Sequence, residues 1–298
     1  MIKCSQAVPC STQPDGGVQF PKVSKLSPFL KWAGGKTQLL NQLKPLVPHH
    51  FNDYFEPFLG GGAMFFYLSS NGLLLNKTYL TDINGDLINV YKCLQKNPEF
   101  LLAKLIANER NYLKNPFDFY YNLRRSLFTD NFEKAAQFIT LNKTCYNGLY
   151  RVNKKGEFNV PMGRYKNPMI CDVTNLRNAH LALDPLGVRI KNIDYGHILK
   201  RASKGDFIYL DPPFSPLSKT ANFTEYTSGG FGIKDQENLA RNFTMLCKKN
   251  CKVIVSNSDT ELVRELYKDY KIITVSSLRC INSQSNRRRG NRELIIYN

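Results

Sequence analysis

The sequence predicts an α/β fold in which alternating strands and helices are interrupted by a mostly helical insertion that carries a β-hairpin. Three observations predict it. Short apolar runs alternate with amphipathic ones at both ends of the chain. A strand, a glycine turn and a helix follow one another at Tyr54 to Leu68. The stretch Phe207-Ile208-Tyr209-Leu210-Asp211-Pro212-Pro213-Phe214 reads as a buried strand running into an acid, two prolines and an aromatic ring. Neither proline can donate to a strand ladder, so the strand ends there. In open α/β sheets, ligands bind at the carboxyl ends of strands. An ordinary strand-ending turn is the alternative, because Asp-Pro is common in turns.

Taken in order, residues 1–27 carry Pro, Gly, Ser and Gln without periodicity and read as a loose arm. Gly34-Gly35-Lys36 then precedes a helix-like run, Thr37 to Leu43. This is a tight loop whose backbone N–H groups and Lys36 suit an anion. Its spacing is not that of a nucleotide P-loop. Trp32, the only tryptophan, sits beside it, either as a stacking platform or as a core residue. Tyr54 to Phe58 reads as a strand, Gly60-Gly61-Gly62 as the turn and Ala63 to Leu68 as a helix. Tyr79 to Asp82 is a second strand ending in an acid. Asp82 follows the glycines by about twenty residues, the spacing at which an acid accepts bonds from a ribose. It also reads as an N-cap for a helix over Asn84 to Leu94, a role compatible with the first.

From Gly85 to about Leu127 the pattern turns helical and polar, with Ile88, Tyr91, Leu94, Phe100, Leu101 and Leu105 on apolar faces. Leu149 to Val152, Asn153 to Gly156 and Glu157 to Val160 read as a hairpin with a glycine-containing turn. Residues 143 to 166 hold six bases (Lys143, Arg151, Lys154, Lys155, Arg164, Lys166) against one acid, Glu157. Tyr146, Tyr150, Phe158 and Tyr165 interleave with them. A two-stranded ribbon of this kind fits a DNA major groove, where Arg bonds a guanine edge twice. A merely solvated basic hairpin is the other reading.

Alternation resumes with strands at Val188 to Ile193, Phe207 to Leu210, Lys252 to Ser256 and Lys271 to Ser276. Helices are expected at Tyr195 to Ala202, Lys234 to Lys248 and Thr260 to Lys268, and Leu294 to Tyr297 closes the sheet antiparallel. Ser215 to Gly232 is a long polar loop beside the Asp211 turn. Asn282 to Asn291 holds Arg287-Arg288-Arg289 and no acid, which suits a phosphate backbone or plain solvation. The boundaries that follow are 1–27 for the arm, 28–84 and 172–298 for the two parts of a catalytic domain, and 85–171 for the insertion.

Composition narrows the function. A formal net charge of +17 suggests a polyanionic partner, with plain solubility as the other reading. The eight cysteines form no Cys-x-x-Cys pair and the four histidines lack ligand spacing, so no metal site is expected. Cys247 and Cys251 read as packing residues. No apolar run reaches the length of a membrane span, and no charged-then-apolar signal pattern opens the chain. These features point to the cytoplasm and to reduced thiols.

Together these pieces resemble the Dam-type adenine-specific DNA methyltransferases over nearly everything from Pro28 to Asn298. The resemblance is carried by Phe29-Leu30-Lys31-Trp32-Ala33-Gly34-Gly35-Lys36, by Phe55-Glu56-Pro57-Phe58 with the three glycines, and by Asp82-Ile83-Asn84. Tyr146-Asn147-Gly148-Leu149-Tyr150-Arg151, Gly156-Glu157-Phe158-Asn159-Val160-Pro161, Gly163-Arg164-Tyr165 and Asp211-Pro212-Pro213-Phe214 complete it. It implies a Rossmann-like sheet of S-adenosylmethionine-dependent methyltransferases with an inserted target-recognition domain. The implied reaction moves a methyl group from S-adenosylmethionine to the exocyclic amino group of adenine in duplex DNA, at GATC and with base flipping. A restriction endonuclease is an implied partner. By position, Trp32, Lys36, Gly60, Asp82 and Asp211 match cofactor residues, and Asp211, Pro212 and Phe214 match the catalytic motif. Lys31 and Arg151 match contacts to the outer guanines. Tyr146 and Asn147 match residues that enter the base stack, Leu149 and Pro161 contacts to inner base pairs, and Tyr165 a DNA-contacting tyrosine. Phe214 departs from the family's usual Tyr and lacks its hydroxyl. Two rivals stay open. One is a methyltransferase for another planar amino group (RNA adenine, cytosine or a protein amide). The other is a DNA-binding module without catalysis.

Overall fold

A computed structural model describes residues 26–32, 34–213, 231–277 and 291–298. The strands are β1 (Tyr54–Glu56), β2 (Thr78–Asp82), β3 (Val188–Asn192), β4 (Phe207–Leu210), β5 (Lys252–Ser258), β6 (Lys271–Ser277) and β7 (Asn291–Tyr297). They form one sheet of seven strands in the order β3-β2-β1-β4-β5-β7-β6. The first five in that order are parallel. β7 runs antiparallel between β5 and β6, closing the sheet as the Leu294 to Tyr297 pattern predicts. Chain direction across the sheet reverses between β1 and β4. That is the switch point where an open α/β sheet leaves a crevice at its strand ends.

The helices are α1 (Leu40–Leu43), α2 (Ala63–Ser70), α3 (Gly85–Lys96), α4 (Pro98–Lys114), α5 (Pro116–Arg125), α6 (Asn131–Thr144), α7 (Val173–Leu183), α8 (Tyr195–Leu199), α9 (Ile233–Lys248) and α10 (Glu261–Leu266). The helix expected after Lys36 is broken into a 3-10 turn (Lys36–Leu39), α1 and a second 3-10 turn (Lys44–Leu46). Pro45 lacks the N–H that a continuing helix needs. Side-chain caps start α3 to α6 at Asn84, Asn97, Asn115 and Asp130, each accepting a backbone N–H inside the first turn. The cap of α3 is therefore Asn84. Asp82 instead accepts from the Asn84 N–H just after it and from the Gly60 N–H of the glycine turn, which corrects the capping role read for Asp82.

Period-two alternation on β4 divides the core. Phe207 and Tyr209 face a large cluster, while Ile208 and Leu210 face a smaller one with Phe243, Val253 and Leu294. The large cluster runs without a break from Phe65 and Leu80 at the sheet to Leu102, Tyr120 and Ile139 in the helical stretch. α3 packs on β2 and β3, and α4 and α6 pack on α3, so the helical stretch carries the sheet's core outward. Among the described residues, no helix is long and apolar enough to cross a membrane.

The hairpin is slighter than its sequence pattern predicts. It is held by a bridge between Val152 and Phe158 and a second between Cys145 and Met162. Backbone bonds from Asn153 to Glu157 and from Asn159 to Arg151 complete it, at 2.9 and 3.1 Å. Few of its side chains are buried, so little apolar area supports longer pairing.

Phe207 is fully buried beneath β4, with Phe51 at 5.3 Å and Tyr54 at 5.4 Å between ring centroids. Phe207→Ala is expected to lower the unfolding free energy by about 3–5 kcal/mol in urea titrations, the cost of an aromatic cavity that packed neighbours cannot fill.

Candidate active site

β4 delivers Asp211, Pro212 and Pro213 to the crevice. The Lys36 ammonium lies 2.7 Å from Asp211 Oδ1, and the Ser256 hydroxyl donates to the same oxygen at 3.0 Å. Lys36 also donates to the Gly34 carbonyl at 2.7 Å and sits 3.9 Å from Glu293 Oε2. The ammonium is almost wholly buried, with 4% of its side chain exposed, whereas Asp211 keeps 19%. The carboxylate therefore opens outward and the lysine backs it. Burial pushes the Asp211 carboxyl above the usual aspartate range, Lys36 and Ser256 pull it back, and Glu293 adds a smaller push upward. The Ser256 hydroxyl is itself set by the Tyr209 phenol at 2.9 Å.

The far end of the turn is held as well. Gln236 Nε2 donates to the Pro213 carbonyl at 3.3 Å, and Asn257 Nδ2 donates to Gln236 Oε1 at 2.9 Å. Neighbouring residues of a strand point to opposite faces. Ser256 and Asn257 of β5 thus support the turn from both sides of the sheet. Phe214 and residues 215–230 of the adjoining loop lie outside the described residues, as do Arg287-Arg288-Arg289 and residues 1–25.

A second group forms where β1 turns into α2. Gly60 and Gly62 adopt positive φ of 47° and 69°. A Cβ on Gly60 would stand 2.7 Å from Trp32 Cδ1, so only glycine lets the indole lie on this turn. The Gly60 N–H donates to Asp82 Oδ2 at 3.1 Å, and the Asn84 N–H donates to Asp82 Oδ1 at 2.9 Å. Burial raises the Asp82 carboxyl above its usual range, and those two N–H bonds oppose the rise. Tyr91 donates to the Gly60 carbonyl at 3.0 Å. Trp32 in turn stacks on Tyr150 and Phe138, at 5.8 and 6.4 Å. It is both a packing residue and the link between the glycine turn and the base of the hairpin. Trp32, Gly60 and Asp82 come together here, while Lys36 belongs with Asp211.

The residues that the family resemblance assigns to DNA contact lie around the end of α6 and the hairpin that follows it. The Lys31 ammonium lies 3.8 Å over the Tyr165 ring and donates to the Lys143 carbonyl at 3.1 Å. The Tyr146 N–H donates to the Pro161 carbonyl at 2.9 Å, and the Tyr146 side chain is exposed. Asn147 has φ 53°, a left-handed conformation that Asn tolerates. The Leu149 N–H donates to the Tyr146 carbonyl at 3.2 Å. Arg151 donates to Asn159 from Nε at 2.7 Å and stays exposed. Burial and the neighbouring Lys31 push the Lys143 ammonium below its ordinary range, so this corner is crowded with positive charge.

The residue reading missed several supports: Ser256, Gln236, Asn257, Asn142 and Glu56. Each is a polar side chain at a buried position, a pattern that marks a held backbone or charge once burial is known. Glu56 accepts from the Tyr54 phenol at 2.8 Å and from the Phe65 N–H at 2.9 Å. Burial pushes its carboxyl up to about 8, against those two bonds, and the Asp211 charge adds to the rise. The folded protein therefore holds a proton on Glu56 that the unfolded chain releases near 4.5, and stability declines as pH rises from there to about 8. Glu56→Gln is expected to remove that decline. Urea unfolding of both proteins across the window checks it, and parallel stability curves would contradict it.

Comparison with known proteins supplies the family. The model of the D12 class N6 adenine-specific DNA methyltransferases matches residues 32–281. The type II methyltransferase M1.LlaDCHI of Lactococcus lactis subsp. cremoris is 40% identical, over 92% of this chain and 95% of that one. The type II methyltransferase M.MjaIII of Methanocaldococcus jannaschii is 41% identical, over 92% and 99%. The DNA adenine methylase of Escherichia coli K12 is 36% identical, over 90% and 93%. With its methyltransferase-like sheet and these relatives, the chain belongs to the D12 class of N6 adenine-specific DNA methyltransferases.

Proposed function

We propose that this enzyme methylates adenine within GATC in duplex DNA, using S-adenosylmethionine and flipping the target base out of the stack. The observation that carries the reading is the held carboxylate: Asp211 stands at the crevice with its outer side open, beside the glycine turn. The crevice residues fit the cofactor. The Asp82 carboxylate has acceptor capacity beyond its backbone bonds, enough for a ribose hydroxyl. Trp32 and the Gly60 turn flank it, and we assign these three, with Lys36, to holding the cofactor. S-adenosylmethionine supplies the methyl group when bound.

The chain's own residues supply aim and electrostatics. Adenine's amino lone pair is delocalised into the ring and is a poor nucleophile. Both Lys36 and Ser256 engage Oδ1 of Asp211, and we assign the other oxygen to one amino hydrogen. The Pro212 carbonyl accepts the second. Two acceptors favour a pyramidal nitrogen and stabilise the positive charge that grows there. Pro213, with its carbonyl tied to Gln236, keeps the acceptors in place. A base inside a duplex cannot reach them, so the base is displaced and stacks on the ring of Phe214. Lys31 and Arg151 read the outer guanines. Tyr146 and Asn147 fill the stack, Leu149 and Pro161 touch the inner pairs, and Tyr165 contacts DNA. The net charge of +17 supplies the sequence-independent attraction.

Likeness to type II methyltransferases supports a restriction endonuclease as partner. Expression in a host without adenine methylation tests the reading. Its plasmid should resist nucleases that need unmethylated GATC and yield to those that need it methylated. Asp211→Ala should leave the plasmid unmethylated while DNA binding persists. Methyladenine outside GATC would overturn the site, and methylation by Asp211→Ala would overturn the mechanism.

A further inference from the structure

Asn142 lies near the end of α6, almost wholly buried, and grips the backbone of Lys31 from both sides. The Lys31 N–H donates to Asn142 Oδ1 at 2.8 Å, and Asn142 Nδ2 donates to the Lys31 carbonyl at 2.6 Å. The amide acts as a strand neighbour does, pairing one residue's donor and acceptor together. The same Nδ2 lies 3.4 Å from the carbonyl of Gly148, inside the Tyr146–Gly148 turn. One side chain thus ties a segment from the start of the fold to the turn that opens the hairpin, across 111 residues of sequence. The two segments are also in van der Waals contact. A Cβ on Gly148, whose φ is 63°, would stand 2.4 Å from Lys31 Cβ. The Lys31 ammonium is aimed by the Lys143 carbonyl and the Tyr165 ring, so the whole residue is fixed to the hairpin's frame.

A long, flexible lysine reads one base edge only if its backbone is registered to the rest of the reading surface. We infer that Asn142 is a specificity-positioning residue, which sets Lys31 and the Tyr146 turn in register so that both address the same DNA site. The inference rests on the reading of Lys31 as a base contact. Only a side chain with an adjacent donor and acceptor fills the role. Asp would keep the bond from the Lys31 N–H and place a carboxylate oxygen against the Lys31 carbonyl.

The test uses the full-length enzyme with S-adenosylmethionine and duplexes carrying the methylated site or each single base-pair variant. The readout is the ratio of kcat/KM between cognate and variant duplexes for wild type, Lys31→Ala, Asn142→Asp and Gly148→Ala. Asn142→Asp and Gly148→Ala should each lower discrimination by about tenfold or more, at the base pair where Lys31→Ala loses it and not at the others. A purely structural role would lower activity on all duplexes alike and leave the ratio untouched. If Lys31→Ala loses discrimination at one base pair while both other variants keep it, the inference falls and the reading of Lys31 stands. If Lys31→Ala keeps full discrimination, the reading itself falls and the inference with it. Gly148→Ala disturbs the same register through the Lys31 contact and leaves the side chain of residue 142 unaltered, so a poorly folding Asn142→Asp still leaves a decisive variant.

Discussion

The site depends on one buried ion pair, Lys36 with Asp211 at 2.7 Å. A carboxylate at the end of a hydrophobic strand loses much of its solvation, and burial alone drives it toward the neutral acid. Lys36 and the Ser256 hydroxyl oppose that drive by setting an ammonium and a donor on one oxygen. The pair spans the fold: Lys36 comes from its first turns, Asp211 from the central strand and Ser256 from the next strand in the sheet. Placing these three together requires the parallel pairing of β4 with β5 and the packing of the first turns against the sheet.

Much of this was legible in the sequence. β4 was visible because four apolar residues meet two prolines, and its observed bounds, Phe207–Leu210, coincide with the pattern. The glycine turn was visible because glycine takes the positive φ found at Gly60 and Gly62 without steric cost. The supports were not visible. Ser256 and Asn257 sit in an apolar strand as two small polar residues, and what they hold depends on a neighbour 45 residues away and a helix 21 residues away. The cap of α3 was misread by two residues because Asp82 and Asn84 both suit that role, and only the turn of the backbone decides between them. The hairpin pattern overstated its strands because alternation signals a pleat but not the buried area that would sustain it.

The helical stretch does not stand apart from the sheet. One apolar cluster runs from Phe65 through Tyr91 and Leu102 to Ile139, and α6, which leads into the basic hairpin, packs on α3, which in turn packs on β2 and β3. Trp32 concentrates that continuity, with its indole on the Gly60 turn at one side and on Tyr150 at the other. The hairpin and the crevice are therefore joined through packed side chains. Cores of this density shift as units rather than deform locally.

The pH dependence of single-turnover methyl transfer, with DNA and cofactor saturating, tests the role of the Asp211 carboxylate most directly when wild type is compared with Ser256→Ala. Removing the hydroxyl takes away a donor that favours the charged carboxylate. Transfer should fail as pH falls, and this acidic limb should move to higher pH in Ser256→Ala. A limb that stays in place, or a rate indifferent to acid, would contradict the claim that an ionised Asp211 receives the amino group.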